Sequence, residues 1–165
     1  MKKLLAMTIA VASILALGPP ASAAKPIAVT GTETFALTPT CNPGPPISPA
    51  PATCRTADGN IFLTVSNPGS RTGTFEGTQH FEGNITVFKN GDFVFTGILT
   101  FEGTVEGCGE GTVVFFNEGA GNFATGLSRN HQVTLSGKGT LKVHANLNLV
   151  GTGEGTNDIF GTYHC

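Results

Sequence analysis

Histidine and glutamate are the residues of this chain whose types would allow metal binding. His80 and Glu82 stand two positions apart, and on a β-strand that spacing puts both side chains on one face. Zinc accepts such imidazole and carboxylate ligands. His144 and His164 would have to complete the site from other strands, so three strands would need to align. We therefore favour a solvated outer face for these side chains, and we predict no metal site and no cofactor.

Glutamates also occur in a repeated context. The pentapeptide Thr-Phe-Glu-Gly-Thr occupies residues 74–78 and 100–104, and a third Phe-Glu-Gly occupies residues 81–83. Paired carboxylates such as Glu76, Glu102 and Glu106 are the groups that glycoside hydrolysis requires. Their alternation with phenylalanine places them outward, away from an enclosed site that would raise a carboxyl pKa. The repeat therefore indicates architecture, and we predict a binding protein in preference to an enzyme.

The N-terminal segment has the three parts of a secretory signal peptide, which we assign to residues 1–23. Lys2 and Lys3 precede an apolar run over residues 4–17 and a small-residue site at 21–23. We predict a secreted or periplasmic protein with no integral membrane segment after cleavage. Seven scattered basic residues against eleven acidic ones then remain, which argues against a nucleic-acid partner.

All four cysteines, Cys41, Cys54, Cys108 and Cys165, follow that segment. An even number in an oxidising compartment predicts two disulfides, for which three pairings are possible. We favour Cys41 with Cys54, which would close the proline-rich loop over residues 39–54. Cys108 would then pair with Cys165 and hold the last residue of the chain.

Apolar and polar residues alternate with a period of two from Gly73 onward, which is typical of half-buried antiparallel strands. The clearest alternation covers residues 132–154, where Val133 and Leu147 share the inner face and Gln132 the outer. Asn90-Gly91 is the strongest hairpin signal, and further turns are predicted at residues 67–69 and 117–122. The pattern predicts an all-β fold, a roughly eight-stranded antiparallel β-barrel with glycine bends.

Glycines recur on the inner face of the predicted strands. Gly77, Gly83, Gly97 and Gly103 share the parity of the phenylalanines, which marks bends or close approaches of neighbouring backbones. We assign residues 73–165 to the main barrel region. Residues 24–72 hold N-terminal strands and the proline-rich disulfide loop, as part of the same domain.

Five short stretches carry a resemblance to a known family. They are GTFEG (73–77), GEGTVVF (109–115), LSGKGT (135–140), GTGEGT (151–156) and FGTY (160–163). With them the chain resembles a family of bacterial secreted barrel proteins of unknown function, related to the allene oxide cyclase-like (calycin-type) barrel. The resemblance implies an eight-stranded antiparallel barrel with an apolar interior. It implies no established activity, and no catalytic residue is carried over.

Two polar residues fall on the predicted inner face, Gln79 and Tyr163. Together with Phe75 and Phe101 they are our candidate ligand-binding residues, because small barrels bind ligands in the interior through a few oriented polar groups. The favoured function is binding of a small apolar ligand inside the barrel. Two alternatives stay open: a packed structural or surface-interaction barrel, and a cyclase- or isomerase-type enzyme that acts by pocket shape.

Overall fold

The structure is a computed structural model that describes residues 25–35, 53–153 and 155–165. The predicted signal segment, Cys41 and most of the proline-rich loop lie outside the described residues. The described chain forms nine β-strands: β1 (Ile27–Phe35), β2 (Thr53–Ala57), β3 (Asn60–Gly73), β4 (Phe75–Val87), β5 (Asp92–Val105), β6 (Gly109–Asn122), β7 (Leu127–Gly139), β8 (His144–Gly153) and β9 (Thr156–His164). Within these ranges there is no helix long and apolar enough to span a membrane.

The strands form one antiparallel sheet that closes on itself. From β3 to β9 each strand pairs with the next, β9 pairs with β1, and β1 returns to pair with β3. Eight strands therefore close the barrel, and β2 lies outside it, paired with residues 60–64 of β3. The predicted all-β, eight-stranded antiparallel barrel is confirmed. The predicted hairpin is present too, with Asn90 and Gly91 between β4 and β5.

The turn predicted at Asn67-Pro68-Gly69 was wrong, because β3 passes straight through these residues. Pro68 pairs with His80 on the β4 side of the strand. On its other side, the first residue of β2, Thr53, lies opposite Thr64, and the last residue of β1, Phe35, lies opposite Gly69. Among the described residues, Pro68 thus falls between two partner strands, where a residue without an N–H is tolerated. The turn predicted over residues 117–122 is likewise displaced, since β6 continues to Asn122.

The inner and outer faces predicted for β7 are reversed in the structure. Gln132 is fully buried and Val133 only partly, whereas Leu147 in β8 is buried as predicted. The sequence alternation runs unbroken from residue 132 to 154, but it covers two strands with a turn at residues 140–143 between them. A bulge between Val113 and Phe115 also shifts the register of β6 against β7. Odd-numbered residues therefore face inward in β8, whereas even-numbered residues face inward in β7.

Inward glycines allow neighbouring backbones to approach closely, as their parity predicted. Gly77 of β4 lies opposite Gly103 of β5. A Cβ added to either would come within 2.2 Å of a backbone carbonyl oxygen on the other strand. No side chain can shift to relieve such a contact, because the obstructing atoms belong to the backbone. These glycines are therefore part of how the sheet bends and closes.

One end of the barrel is filled by a packed aromatic core. The ring of Phe75 makes edge contacts with Phe101, Phe115 and Tyr163, at centroid distances of 5.6, 5.9 and 6.0 Å. Outside this core the disulfide between Cys108 and Cys165 joins the β5–β6 turn to the last residue. That pairing is the one favoured from the sequence. Cys54 is also disulfide-bonded, and its favoured partner, Cys41, lies outside the described residues.

Candidate functional site

A buried ion pair lies in the middle of the barrel. Nη2 of Arg71 on β3 is 2.7 Å from Oε2 of Glu33 on β1, and both side chains are fully buried. The two residues face each other directly in the β1–β3 register. Strand alternation sends both side chains into the lumen, where each charge needs a partner in place of water.

Three amides surround this pair and complete a polar layer made of Glu33, Arg71, Gln79, Gln132 and Asn157. Arg71 donates hydrogen bonds to the amide oxygens of Gln79 and Gln132. Nδ2 of Asn157 donates to Oε1 of Glu33 at 2.9 Å. The layer draws on five strands, so it ties the barrel together across its width.

The polar layer rests on the aromatic core. The guanidinium carbon of Arg71 lies 5.0 Å from the ring centroid of Phe115. Its distances to the ring centroids of Phe75 and Phe101 are 5.9 and 6.0 Å, which is the outer limit of a cation–π contact. Burial lowers the pKa of Arg71, and the Glu33 carboxylate acts in the opposite direction. Arg71 still stays charged at neutral pH, because a guanidinium loses its proton only far above neutral pH.

A pocket lies on the other side of the polar layer, at the barrel end formed by the β4–β5 and β6–β7 turns. Its volume is about 270 Å³ and it is open to solvent. The described lining is aromatic, aliphatic, amide and hydroxyl in character, so it offers apolar contact and hydrogen bonds. The lining residues are Phe35, Asn67, Phe81, Ile85, Phe93, Phe95, Asn117, Asn122, Phe123, Gly126, Ser128, Asn130, Gly151, Gly155, Thr156 and Asn157.

Four of the phenylalanines form a continuous aromatic wall: Phe81, Phe95, Phe93 and Phe123. Successive ring centroids along this wall are 5.8, 6.4 and 4.6 Å apart. Two of these rings lie directly against inward glycines. A Cβ at Gly83 would stand 2.5 Å from the Phe81 ring, and one at Gly121 would stand 2.5 Å from the Phe93 ring. Because these glycines let the rings recede into the barrel wall, the lumen stays open at this end.

The predicted ligand-binding residues do not meet at this pocket. Phe75, Phe101 and Tyr163 belong to the aromatic core at the opposite end of the barrel. The hydroxyl of Tyr163 donates to the backbone carbonyl of Glu106 at 2.7 Å. Burial raises the pKa of Tyr163, and the nearby Glu106 carboxylate raises it further. Gln79 is buried as predicted, but it belongs to the polar layer and does not line the pocket.

The interior is more polar than the sequence indicated, which corrects the expected apolar lumen. Beyond Gln79, the barrel buries Glu33, Asn67, Arg71, Thr74, Asn117, Asn130, Gln132 and Asn157. For some of them the alternation of the strand could have predicted an inward side chain. Glu33, for example, has the same parity as Gly31 and Phe35. Gln132 and Asn130 gave no such signal, because the β7 parity was misassigned.

The histidines and repeated glutamates lie on the outer surface. Nε2 of His80 is 2.6 Å from the Ser66 hydroxyl and 3.7 Å from a Glu82 oxygen. His144 stacks on His164 across β8 and β9, with ring centroids 5.1 Å apart. In the described part of the chain no three His, Cys, Asp or Glu side chains are grouped as metal ligands. Glu76, Glu102 and Glu106 are exposed.

Fold and pocket together define a closed antiparallel β-barrel with one open, aromatic-walled end. A crystal structure of a protein of unknown function from the DUF3224 family of Shewanella oneidensis MR-1 has a similar fold, with a TM-score of 0.60 and 14% sequence identity. The match covers 85% of this chain and 98% of that one. No protein-family profile matches the chain, and no curated protein matches it. The relation to the allene oxide cyclase barrel is not confirmed.

Proposed function

We propose that the chain is an exported barrel protein that binds a small, largely apolar molecule in the pocket at its open end. The observation that carries this proposal is the aromatic-walled pocket of about 270 Å³. Cavities of ~150 Å³ lined by apolar side chains already accept benzene. This pocket is larger, so one or two rings would fit.

The rim of the pocket supports binding of an apolar molecule from solution. Phe123 is 58% exposed and Leu127 is 62% exposed, next to the mouth. Large apolar groups left in water at the edge of a concave site are typical of ligand-binding surfaces. A ligand that entered the pocket would cover part of Phe123 and would stack against the aromatic wall.

Export to the periplasm or the medium is proposed from the signal-like segment at residues 1–23, with support from the Cys108–Cys165 disulfide. A distant relation to the allene oxide cyclase-like barrels is part of the same proposal. Binding is favoured over the enzyme alternative because the described pocket lining consists of apolar, amide and hydroxyl groups. Such groups can orient a bound molecule, whereas general acid–base catalysis needs a titratable side chain such as histidine or a carboxylate.

Native mass spectrometry of protein purified gently from a secreting host tests the proposal. Ser128→Phe would fill the pocket from β7, and Ser136→Phe on the outer part of the same strand is the matched control. We expect a discrete extra mass on the wild type and on Ser136→Phe that leaves on denaturation, and none on Ser128→Phe. A bare wild type that also fails to bind added naphthalene would overturn the proposal and favour the packed structural barrel.

A further inference from the structure

Two buried asparagines in the pocket present carbonyl oxygens that no donor in the described part of the chain uses. Asn117 is 1% exposed and Asn130 is 7% exposed, and both line the pocket. Within the described residues, Oδ1 of each has no hydrogen-bond partner. Asn157, also in the lining, differs: its Nδ2 donates to Glu33 and its Oδ1 accepts from Ser128. Unused acceptors are therefore present on Asn117 and Asn130, whereas both amide atoms of Asn157 are engaged.

The two amides lie on adjacent strands and on the same wall of the lumen. Asn117 of β6 pairs with Gln132, and Asn130 of β7 pairs with Gly119, so the asparagines are diagonal neighbours. Gly119 makes this arrangement possible, because a Cβ there would stand 2.6 Å from Oδ1 of Asn130. The sheet thus presents two adjacent acceptors beside the wall of aromatic rings, since Gly119 also pairs with Phe95.

Burying a carbonyl oxygen without a donor is costly, and natural proteins keep few such groups. A leucine at either position would have avoided the cost in a lumen that only had to be filled. The acceptors face a pocket, so a bound molecule can supply the missing donors. They also disfavour a carboxylate ligand, since its oxygens would meet the carbonyl oxygens with like polarity.

We infer that the ligand is a neutral aromatic compound with hydroxyl or N–H donors at one end. This inference rests on the proposed function. The ring system lies against Phe81, Phe93 and Phe95, and the donor end points inward to Asn117 and Asn130. Apolar contact supplies the affinity, and the two amide oxygens favour ligands that carry hydrogen-bond donors over ligands that carry only acceptors.

A set of matched naphthalenes tests the inference on the wild-type protein. Naphthalene has the rings alone, 2-naphthol adds a donor, and 2-methoxynaphthalene adds only an acceptor. The protein has no tryptophan and one tyrosine, so probe fluorescence can be titrated with little background. We expect 2-naphthol to bind roughly three- to tenfold more tightly than either other probe, as for one net hydrogen bond. The two donors of 2,3-dihydroxynaphthalene should increase the affinity again.

Asn117→Leu and Asn130→Leu should reduce that preference while they keep naphthalene affinity. Asn148→Leu, on the exposed face of β8, is the control and should leave it unchanged. Equal binding of 2-naphthol and 2-methoxynaphthalene to the wild type would overturn the inference, yet the pocket would still be a binding site. A preference that survives both asparagine substitutions would overturn it as well. If none of the probes binds, the inference and the proposed function both fail.

Discussion

Arg71 and Glu33 form a buried ion pair across the two strands whose pairing closes the barrel. They are register partners on β3 and β1, with Nη2 and Oε2 2.7 Å apart. The β1–β3 contact is short, since only residues 31–35 of β1 meet residues 69–73 of β3. Because this charge pair forms only in the closed register, it selects that register over slipped ones.

Removing one partner of this pair should be strongly destabilising. Arg71→Met or Glu33→Gln leaves the other side chain buried with its charge or hydrogen-bonding groups unmet, which costs about 3–5 kcal/mol of unfolding free energy. The double variant removes both charges and should lose clearly less than the sum of the two. Urea unfolding of all four proteins gives the coupling.

The exposed pair of Glu118 and His131 is the control for that cycle. Glu118→Gln should change stability by less than about 1 kcal/mol, because water screens surface ion pairs. If the losses of stability caused by Arg71→Met and Glu33→Gln simply added up in the double variant, the two side chains would not stabilise the closed barrel as a pair.

Replacing the disulfide of Cys108 and Cys165 with two serines should cost about 2–4 kcal/mol. The bond closes a sequence separation of 57 residues, and its loss lets the unfolded chain expand. Changing both cysteines avoids a stray thiol that could exchange with Cys54. Thermal unfolding of the oxidised wild type and the double variant provides the measurement, and equal stability would show that the bond is dispensable.

Tyr163 should titrate with a pKa above the ordinary value of 10.0, because burial and the Glu106 carboxylate both disfavour the phenolate. It is the only tyrosine, so the ultraviolet absorbance of phenolate reports this residue alone in the folded protein. A midpoint at or below 10.0 in the native state would contradict the packing around the hydroxyl.

The same shift predicts how stability depends on pH. With the folded pKa raised, the stability that Tyr163 contributes is complete below the unfolded value of 10.0. It is lost as the pH rises through the folded pKa, because the unfolded state releases the proton first. Tyr163→Phe should therefore unfold with a weaker alkaline dependence than the wild type, although it is less stable at neutral pH.

Gly103→Ala should destabilise the barrel through a backbone contact. The added Cβ would stand 2.2 Å from the carbonyl oxygen of Glu76, and forcing β4 and β5 apart costs about 1–3 kcal/mol or more. Thr104→Ala, its exposed neighbour, should change stability by only about 0.5 kcal/mol. Chemical unfolding compares the two, and equal effects would mean that the strands separate easily at Gly77 and Gly103.

Local rules account for much of the fold. Alternation of Phe75, Phe81 and Phe101 with threonine and glutamate determined strands with one buried face, because side chains in a strand alternate between faces. Asn90-Gly91 determined the β4–β5 hairpin, and the inward glycines indicated closely spaced, curved strands. These features depend on residues near one another in the chain, so they can be recognised without the fold.

The site itself was decided by pairings between distant strands. Parity alone could not show that Gln132 faces inward, because the turn at residues 140–143 and the β6–β7 bulge break the alternation. Glu33 and Arg71 are 38 residues apart, and only barrel closure makes a buried charge acceptable at each position. The pocket arises likewise from several strands, where glycines on β4, β5 and β6 let phenylalanines recede and asparagines from separate strands converge. Tertiary structure brings these groups together, since no sequence spacing encodes which strand will face another across a lumen.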